Sequence, residues 1–269
     1  MPTTYAHYRL GETVRKRLPE SVQNIINDNQ ELFHFGVHGP DHFFYYNPLM
    51  KTSVGMTGTR IHEEPAKNFF IQATQQIHKC SNKDAHLAYA YGYLCHFAMD
   101  YVCHGYIGEQ MEEKGLSHYE IEAEYDRRLL VMDGYNKPVS VCTTKHLQPT
   151  MDNASVIADF YEGITVNQVH KSLKGMVLYL NILRAPNKFL RKFLFCAMKM
   201  AGVYNTMNGL VMNYEESHKC IETTDELVRR FDIAVETAVR IITEFERFFA
   251  QGGALSENFC YNFESEKVE

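Results

Sequence analysis

The sequence predicts an all-α fold, organised as a single compact multi-helix domain that spans residues 1–269. Apolar residues recur at helical spacing along most of the chain, and we find no segment with the strict alternation of a half-buried strand. Apolar residues make up 45% of the 269 residues, which is enough for one large core. There is also no short-period repeat and no linker. Together these observations predict one domain of about nine or ten packed helices.

The first elements follow from proline, glycine and periodicity. A helix is predicted at Tyr5–Leu18 and ends before Pro19, and a second runs over Glu20–Asn29. Gly36–Pro48 is rich in glycine, proline, histidine and aromatic residues and is predicted to be a loop. Val54–Arg60 carries two glycines and is also predicted to be a loop.

The later elements are mostly long helices. Ser81–Asp84 offers an N-cap and an acid in the first turn, and Ser117 with Glu120 forms an S-x-x-E capping box. Asp133–Pro149 is predicted to be a long loop, and the polar tail from Gly252 is predicted to be irregular. The helices are predicted at His62–Lys79, from Asp84 to about Tyr106, and at His118–Met132, Asp152–Val166, Gln168–Leu183, Lys188–Asn213 and Thr224–Ala250.

Five side chains with metal-ligand chemistry stand at one-turn intervals on two of these helices. His96, Asp100 and His104 follow one another at i+4 spacing, and His118 and Glu122 repeat that spacing. A carboxylate and two imidazoles on one apolar helix face are costly to bury without a strong partner. A catalytic zinc usually takes about three protein ligands. The five therefore predict at least two metal ions, and open multi-metal sites typically perform hydrolysis.

Further ligand candidates come from the first 62 residues. Asp41 lies in a turn-rich segment suited to presenting a carboxylate, His62 follows the glycine-containing segment, and His7 lies on the first helix. Three histidines near Asp41 are hypothesised to orient it as hydrogen-bond donors: His34, His38 and His42. The other histidines are predicted to be ordinary core or surface residues: His78, His86, His146, His170 and His218.

At this point the chain resembles the zinc-dependent phospholipase C family, which shares its fold with single-strand-specific fungal nucleases. The resemblance rests on the ordered set His7, Asp41, His62, His96-x3-Asp100-x3-His104 and His118-x3-Glu122. The local sequence around these positions is also similar, at Gly39-Pro40-Asp41, Gly92–His96 and Ile121–Asp126. The resemblance covers about residues 1–130.

The resemblance implies a zinc cluster in an all-helical domain. By motif position, one zinc would be held by Asp41, His62, His96 and Asp100, a second by His104, His118 and Glu122, and a third by His7 with Asp100 as a bridge. The family completes the third site with the backbone of an N-terminal Trp, and this chain contains no Trp. We therefore expect two tightly bound zinc ions and a third site that is partly filled or empty. Asp41 is the expected catalytic residue, which would accept a proton from the attacking water.

Charge and cysteine usage bear on partners and location. The net charge of −6 argues against nucleic-acid binding through bulk charge.

Residues 163–214 contain no acid but seven bases. Such a segment could form a basic face that binds phospholipid headgroups, but we favour the interpretation that it is the ordinary solvated side of a core helix. The seven cysteines show no CxxC spacing and are predicted to be free thiols. Neither a signal peptide nor a run of roughly 18 apolar residues is visible, so a cytoplasmic location is expected.

Three functions fit these observations. The first is a metal-dependent hydrolase of phosphodiesters, acting on a phospholipid headgroup or a related small diester, with peripheral membrane contact as an option. Phe44, Tyr45 and Tyr46 could line its headgroup pocket. The second is a single-strand nuclease of the same fold, which the acidic balance disfavours. The third is a non-enzymatic metal-binding or sensing protein that has kept the ligands.

Overall fold

A computed structural model describes residues 4–268 of the chain. Within this range the regular elements are helices, and a lone bridge between Tyr261 and Lys267 is the extent of β-type pairing. The all-α prediction is confirmed. The α-helices are α1 Thr4–Arg15, α2 Glu20–Asp28, α3 Gln30–Gly36, α4 Ser53–Glu63, α5 Ala66–Lys79, α6 Lys83–Lys114, α7 His118–Met132, α8 Met151–Ala158, α9 Val166–Arg184, α10 Lys188–Met200, α11 Tyr204–Met207 and α12 Ile221–Gln251. Short 3₁₀ helices lie at Gly39–Tyr45, Pro138–Ser140, Asn208–Leu210 and Glu257–Cys260.

Helix α6 forms the centre of the fold. Residues 85–100 are buried on every side of the helix, which is typical of a helix surrounded by others. Helices α3 and α12 make its largest contacts, and α1, α2, α5 and α7 also pack against it. The side chain of Asn82 accepts a hydrogen bond from the Ala85 amide at its start, and Gly115 ends it in a left-handed conformation. It runs about two turns beyond the predicted end at Tyr106. These last turns are largely exposed and lack an apolar stripe, so hydrophobic periodicity did not indicate them.

The predicted loop at Val54–Arg60 is wrong, because this segment is part of α4. The Thr52 side chain accepts a hydrogen bond from the Gly55 amide and so caps the helix. Gly58 faces the ring of Phe44, and a Cβ at this position would lie 3.2 Å from that ring. The glycine therefore serves close packing inside a helix. Pro65 then separates α4 from α5, so the predicted continuous helix His62–Lys79 is in fact two.

Several other boundaries differ from the predictions. The predicted loop Gly36–Pro48 contains the 3₁₀ helix Gly39–Tyr45, and the predicted helix Asp152–Val166 ends at Ala158. The predicted helix Lys188–Asn213 stops at Met200, because Gly202 adopts a φ of +73° and turns the chain. Ser117 stands at the N-cap of α7 as predicted, but its side chain forms no capping hydrogen bond.

The C-terminal tail is largely irregular, as predicted, yet it is part of the core. Phe259 and Phe263 are completely buried against α5 and α6. The Phe263 amide donates a hydrogen bond to the carbonyl of His62 at 3.2 Å. The tail thereby reaches the segment that carries the ligand candidates. Among the helices of residues 4–268, none combines the length and the apolar character needed to cross a bilayer.

Candidate metal centre

The centre is built around one face of α6. His96, Asp100 and His104 lie one turn apart on this face, and all three are buried. Gly39 makes room for the first of them. It adopts a φ of +47°, and a Cβ at this position would lie 2.1 Å from the His96 ring. The glycine before Pro40 is therefore what lets the segment with Asp41 approach α6 so closely.

Asp100 lies in the middle of the candidate ligands. Its Oδ2 is 3.1 Å from His96 Nε2 and 3.8 Å from His62 Nε2. Its Oδ1 is 3.3 Å from His7 Nε2 and 3.6 Å from His104 Nε2. One carboxylate thus contacts histidines from α1, α4 and both ends of the α6 stripe.

Asp41 and His62 approach the stripe from one side. Asp41 lies in the 3₁₀ helix Gly39–Tyr45, and its Oδ1 is 3.2 Å from Nε2 of His62 on α4 and 4.0 Å from Nε2 of His96. Nδ1 of His62 lies 2.8 Å from the carbonyl oxygen of Gly58. If this nitrogen donates its proton to the carbonyl, Nε2 is left free to bind a metal.

The second pair approaches from α7. Glu122 lies between two histidines, with Oε1 3.7 Å from His104 Nε2 and Oε2 3.2 Å from His118 Nε2. Glu122 is buried, whereas the His118 side chain is 28% exposed. His104 Nδ1 lies 2.9 Å from the carbonyl of Phe263, so this histidine too can direct Nε2 inward.

His7 is placed by an anchor at the start of α1. The carboxylate of Asp126 on α7 accepts hydrogen bonds from the backbone amides of Tyr5 and Ala6, at 2.9 and 2.8 Å. A carboxylate at this position satisfies amides that a helix start leaves unpaired. The anchor ties α1 to α7 and brings His7 to within 3.3 Å of Asp100.

All eight predicted ligands therefore meet in one region. Their ligand atoms form three groups: Asp41 with His62 and His96, His7 with His96 and Asp100, and His104 with His118 and Glu122. Each group spans no more than 4.8 Å. His96 belongs to two of the groups and could bind an ion in either of them. Which residue binds which ion stays a prediction.

The chemistry of the donor set fits zinc. Four ligands at about 2.1 Å from a tetrahedral zinc lie about 3.4 Å from one another, and the contacts described above range from 3.1 to 4.0 Å. Within residues 4–268, Asp41 Oδ1 and His96 Nε2 are buried and form no hydrogen bond of good geometry, although His62 Nε2 and Asp100 Oδ2 lie 3.2 and 3.1 Å from them. Buried polar atoms left in this state are costly, and a shared cation would satisfy them.

The charges of the centre are strongly coupled. Burial alone would raise the pKa of Asp41, but the His96 charge and the contact with His62 lower it to about 2. Burial would lower the pKa of His104, but the charge of Asp100 and the contact with Glu122 raise it to about 10. The neighbouring histidines also hold the pKa values of Asp100 and Glu122 well below their usual range, so the three carboxylates are ionised at neutral pH, and without a metal His104 holds a proton.

We expect zinc binding to release protons near neutral pH. The pKa of His104, about 10, lies above the working pH, so this ligand is protonated before the metal arrives. Binding must then displace at least about one proton per chain at about pH 7.5. Calorimetric titration in buffers of different ionisation enthalpy measures the number. Metal binding with no proton release would contradict the assignment of His104 as a ligand.

An open cleft leads to the centre. It has a volume of about 680 Å³, and its walls include Asp41, His62, Asp100, His104 and His118. Phe44, Tyr119 and Glu264 also line it. Glu264, with Oε2 3.6 Å from His104 Nδ1, and the Phe263 carbonyl belong to the tail, and sequence reasoning missed both contributions. No sequence pattern links the tail to α6, since only tertiary packing brings them together.

The histidines flanking Asp41 have other partners. His34 lies 3.2 Å from Glu12, His38 Nε2 lies 2.9 Å from His146 Nε2, and His42 Nδ1 lies 2.7 Å from Ser172 Oγ. The hypothesis that they donate hydrogen bonds to Asp41 is therefore not supported by these contacts. They connect the 3₁₀ helix and α3 to neighbouring segments.

The comparisons with known proteins agree with this geometry. The family model described as zinc dependent phospholipase C matches residues 6–167. The matched range includes every candidate ligand from His7 to Glu122, and it ends at the start of α9. No curated protein and no solved structure matches the chain.

Proposed function

The chain belongs to the zinc-dependent phospholipase C family, and on this premise we propose that it hydrolyses a phosphodiester of the phospholipid type. The observation that carries the proposal is the convergence of eight candidate ligands, five of which line an open cleft. A centre with several ions and open positions is suited to in-line displacement at phosphorus.

The proposed roles follow the geometry. Asp41, His62, His96 and Asp100 would hold one zinc, His104, His118 and Glu122 a second, and His7 would hold a third together with Asp100. When bound, zinc ions polarise phosphoryl oxygens and lower the pKa of a bound water towards about 7. Asp41 lines the cleft and is ionised at neutral pH, so its carboxylate could accept a hydrogen bond from a water in the cleft and orient it. Phe44 and Tyr119 would line the headgroup site in the cleft.

An apolar cavity beside the cleft supports a lipid substrate. It has a volume of about 540 Å³ and shares the walls Phe44 and Tyr119 with the cleft. Its remaining lining is almost entirely apolar and comes mainly from α9 to α11, with Ile182, Leu194 and Met198 among its residues. A diester bound at the metal centre could place an acyl chain there. Single-stranded nucleic acid would require a basic groove with stacking rings, and the net charge of −6 offers little support for this.

The exposed face of α10 supports contact with a lipid surface. Phe189 and Phe193 are 82% and 71% exposed, and Met200 is 85% exposed. Lys188 and Lys192 are exposed on the same helix. The basic solvated helix side favoured from the sequence does not account for large exposed aromatic residues, whereas peripheral binding to an anionic bilayer does.

We expect Ala197→Trp to lower activity selectively on substrates that carry acyl chains. Ala197 lies on α10 and lines the apolar cavity, so an indole there occupies the space proposed for a chain. If the indole keeps two or more CH₂ groups of the substrate's acyl chain out of the cavity, kcat/KM on monomeric dihexanoyl phosphatidylcholine should fall by about tenfold or more. Hydrolysis of nitrophenyl phosphocholine, which has no acyl chain, should be unchanged.

Ala250→Trp on α12 is the matched control, since it makes the same change at another exposed alanine outside the cavity. It should affect neither substrate. Equal loss on both substrates in Ala197→Trp would indicate damage to the centre and count against a chain-binding cavity. The wild-type chain has no Trp, so the fluorescence of the introduced indole also reports lipid binding directly.

A further inference from the structure

A second group of metal-binding side chains lies outside the centre, where three helices meet. Cys80 follows the end of α5, His86 lies in the first turn of α6, and Asp159 follows the end of α8. His86 is ten residues before His96, which corresponds to about 15 Å along the helix axis. The group is therefore separate from the zinc centre proposed above.

The three ligand atoms converge. His86 Nε2 is 3.3 Å from Cys80 Sγ and 3.0 Å from Asp159 Oδ2, and Cys80 Sγ is 3.9 Å from the same Asp159 oxygen. Ligand atoms around a tetrahedral zinc lie about 3.3–3.7 Å apart, with the longer values involving sulfur. A single position close to all three atoms is thus available to one ion.

The orientation of His86 favours a metal ligand. The side chain is 4% exposed, and its Nδ1 lies 2.7 Å from the carbonyl oxygen of Asn82. Donation from Nδ1 to this carbonyl leaves the Nε2 lone pair directed at a carboxylate oxygen and a sulfur. A proton on Nε2 can form one good hydrogen bond, whereas a divalent cation satisfies all three groups. Histidines that bind zinc through one ring nitrogen usually donate a hydrogen bond from the other nitrogen, often to a backbone carbonyl, which fixes the tautomer.

We propose that Cys80, His86 and Asp159 bind a zinc ion. Thiolate, imidazole and carboxylate are the ligand types that zinc takes in proteins, and three of them leave one position for water. The Asp159 side chain is 45% exposed, so this position opens to solvent. On binding, the Cys80 thiol loses its proton to solvent, and the thiolate forms the bond to the metal. The ion would join the end of α5, the start of α6 and the end of α8.

Cobalt substitution tests the site directly. The central cluster offers nitrogen and oxygen ligands, so a near-ultraviolet thiolate-to-cobalt charge-transfer band reports a cysteine ligand outside that cluster, and substitution of Cys80 shows whether this cysteine is the ligand. We expect the full-length protein titrated with Co²⁺ to develop this band at about one equivalent per chain. Cys80→Ser should abolish the band and lower the zinc content by one equivalent. Asp159→Asn changes an exposed side chain and should weaken the band while the fold is kept.

Cys142→Ser is the matched control, because Cys142 is also a half-buried free thiol but contacts Thr144 and Asn181 instead of a histidine. It should leave the band unchanged. A wild-type protein with no band, or a band that survives Cys80→Ser, would overturn the proposal and show that His86 and Asp159 form an ordinary ion pair. Neither result bears on diester hydrolysis, which depends on the central cluster.

Discussion

Replacing Asp100 with Asn is expected to remove most of the zinc from the central cluster and to lower diester hydrolysis by at least about a hundredfold. The carboxylate lies within 3.8 Å of Nε2 atoms of His7, His62, His96 and His104. An amide of the same shape removes the negative charge, and its NH₂ group faces imidazole nitrogens that should bind metal. Elemental analysis of protein purified without added metal gives the zinc content, and circular dichroism confirms that the helices remain.

His7→Ala is the companion variant. His7 contacts the centre through Asp100, and it belongs to one of the three ligand groups. We therefore expect it to lose at most the third zinc and to keep more activity than Asp100→Asn. If His7→Ala is as damaging as Asp100→Asn, all three groups are required together and the expectation of two essential zinc ions is wrong.

The candidate ligands on α6 and α7 could be found from the sequence because helix geometry alone determines their relation. Residues at i and i+4 share a face in any α-helix, so His96, Asp100 and His104 had to form a stripe. The helix predicted from His118 to about Met132 is present as α7, and it places His118 and Glu122 one turn apart. The chain order of Asp41 and His62 relative to these motifs supplied the rest through the family resemblance, which the family match over residues 6–167 confirms.

The support of the site could not be predicted, because it depends on contacts between distant segments. The Phe263 carbonyl meets His104 across 159 residues, and Asp126 accepts from the start of α1 across 120 or more. The helix α4 was also missed, because its glycines, which usually interrupt a helix, here allow close packing against Phe44. Helix propensity reflects only the local sequence, and tertiary packing overrides it at such positions.

His86 shows the same limit at the second group. In the sequence it is a lone histidine near the start of a helix, and such a residue is usually an ordinary core or surface residue. Cys80 lies six residues before it, but Asp159 comes 73 residues later. The ligand set therefore exists only where α5, α6 and α8 meet.

The zinc-loaded protein is expected to hydrolyse phosphodiesters and to leave phosphate monoesters and peptides nearly untouched. In-line displacement needs one group to hold the phosphoryl oxygens and another to stabilise the leaving oxygen, and the three ligand groups around Asp100 can hold ions for both tasks. The assay offers nitrophenyl phosphocholine, bis-nitrophenyl phosphate, nitrophenyl phosphate and single-stranded DNA to the same preparation. Release of nitrophenol from the first two substrates, at a rate well above that from the monoester, is the expected result.

His118→Ala supplies the control for this assay, because His118 lies in the cleft wall and keeps 28% exposure, so its loss should spare the fold. We expect it to lower turnover of both diesters by at least about a hundredfold, since it removes one of three ligands of the second group. Cleavage of DNA without turnover of phosphocholine esters would assign the cleft to nucleic acid and leave the apolar cavity without a role. Bound zinc with no turnover of any diester would instead favour a metal-binding or sensing protein, because the ligand groups would then hold ions without reaching a phosphoryl group in the cleft.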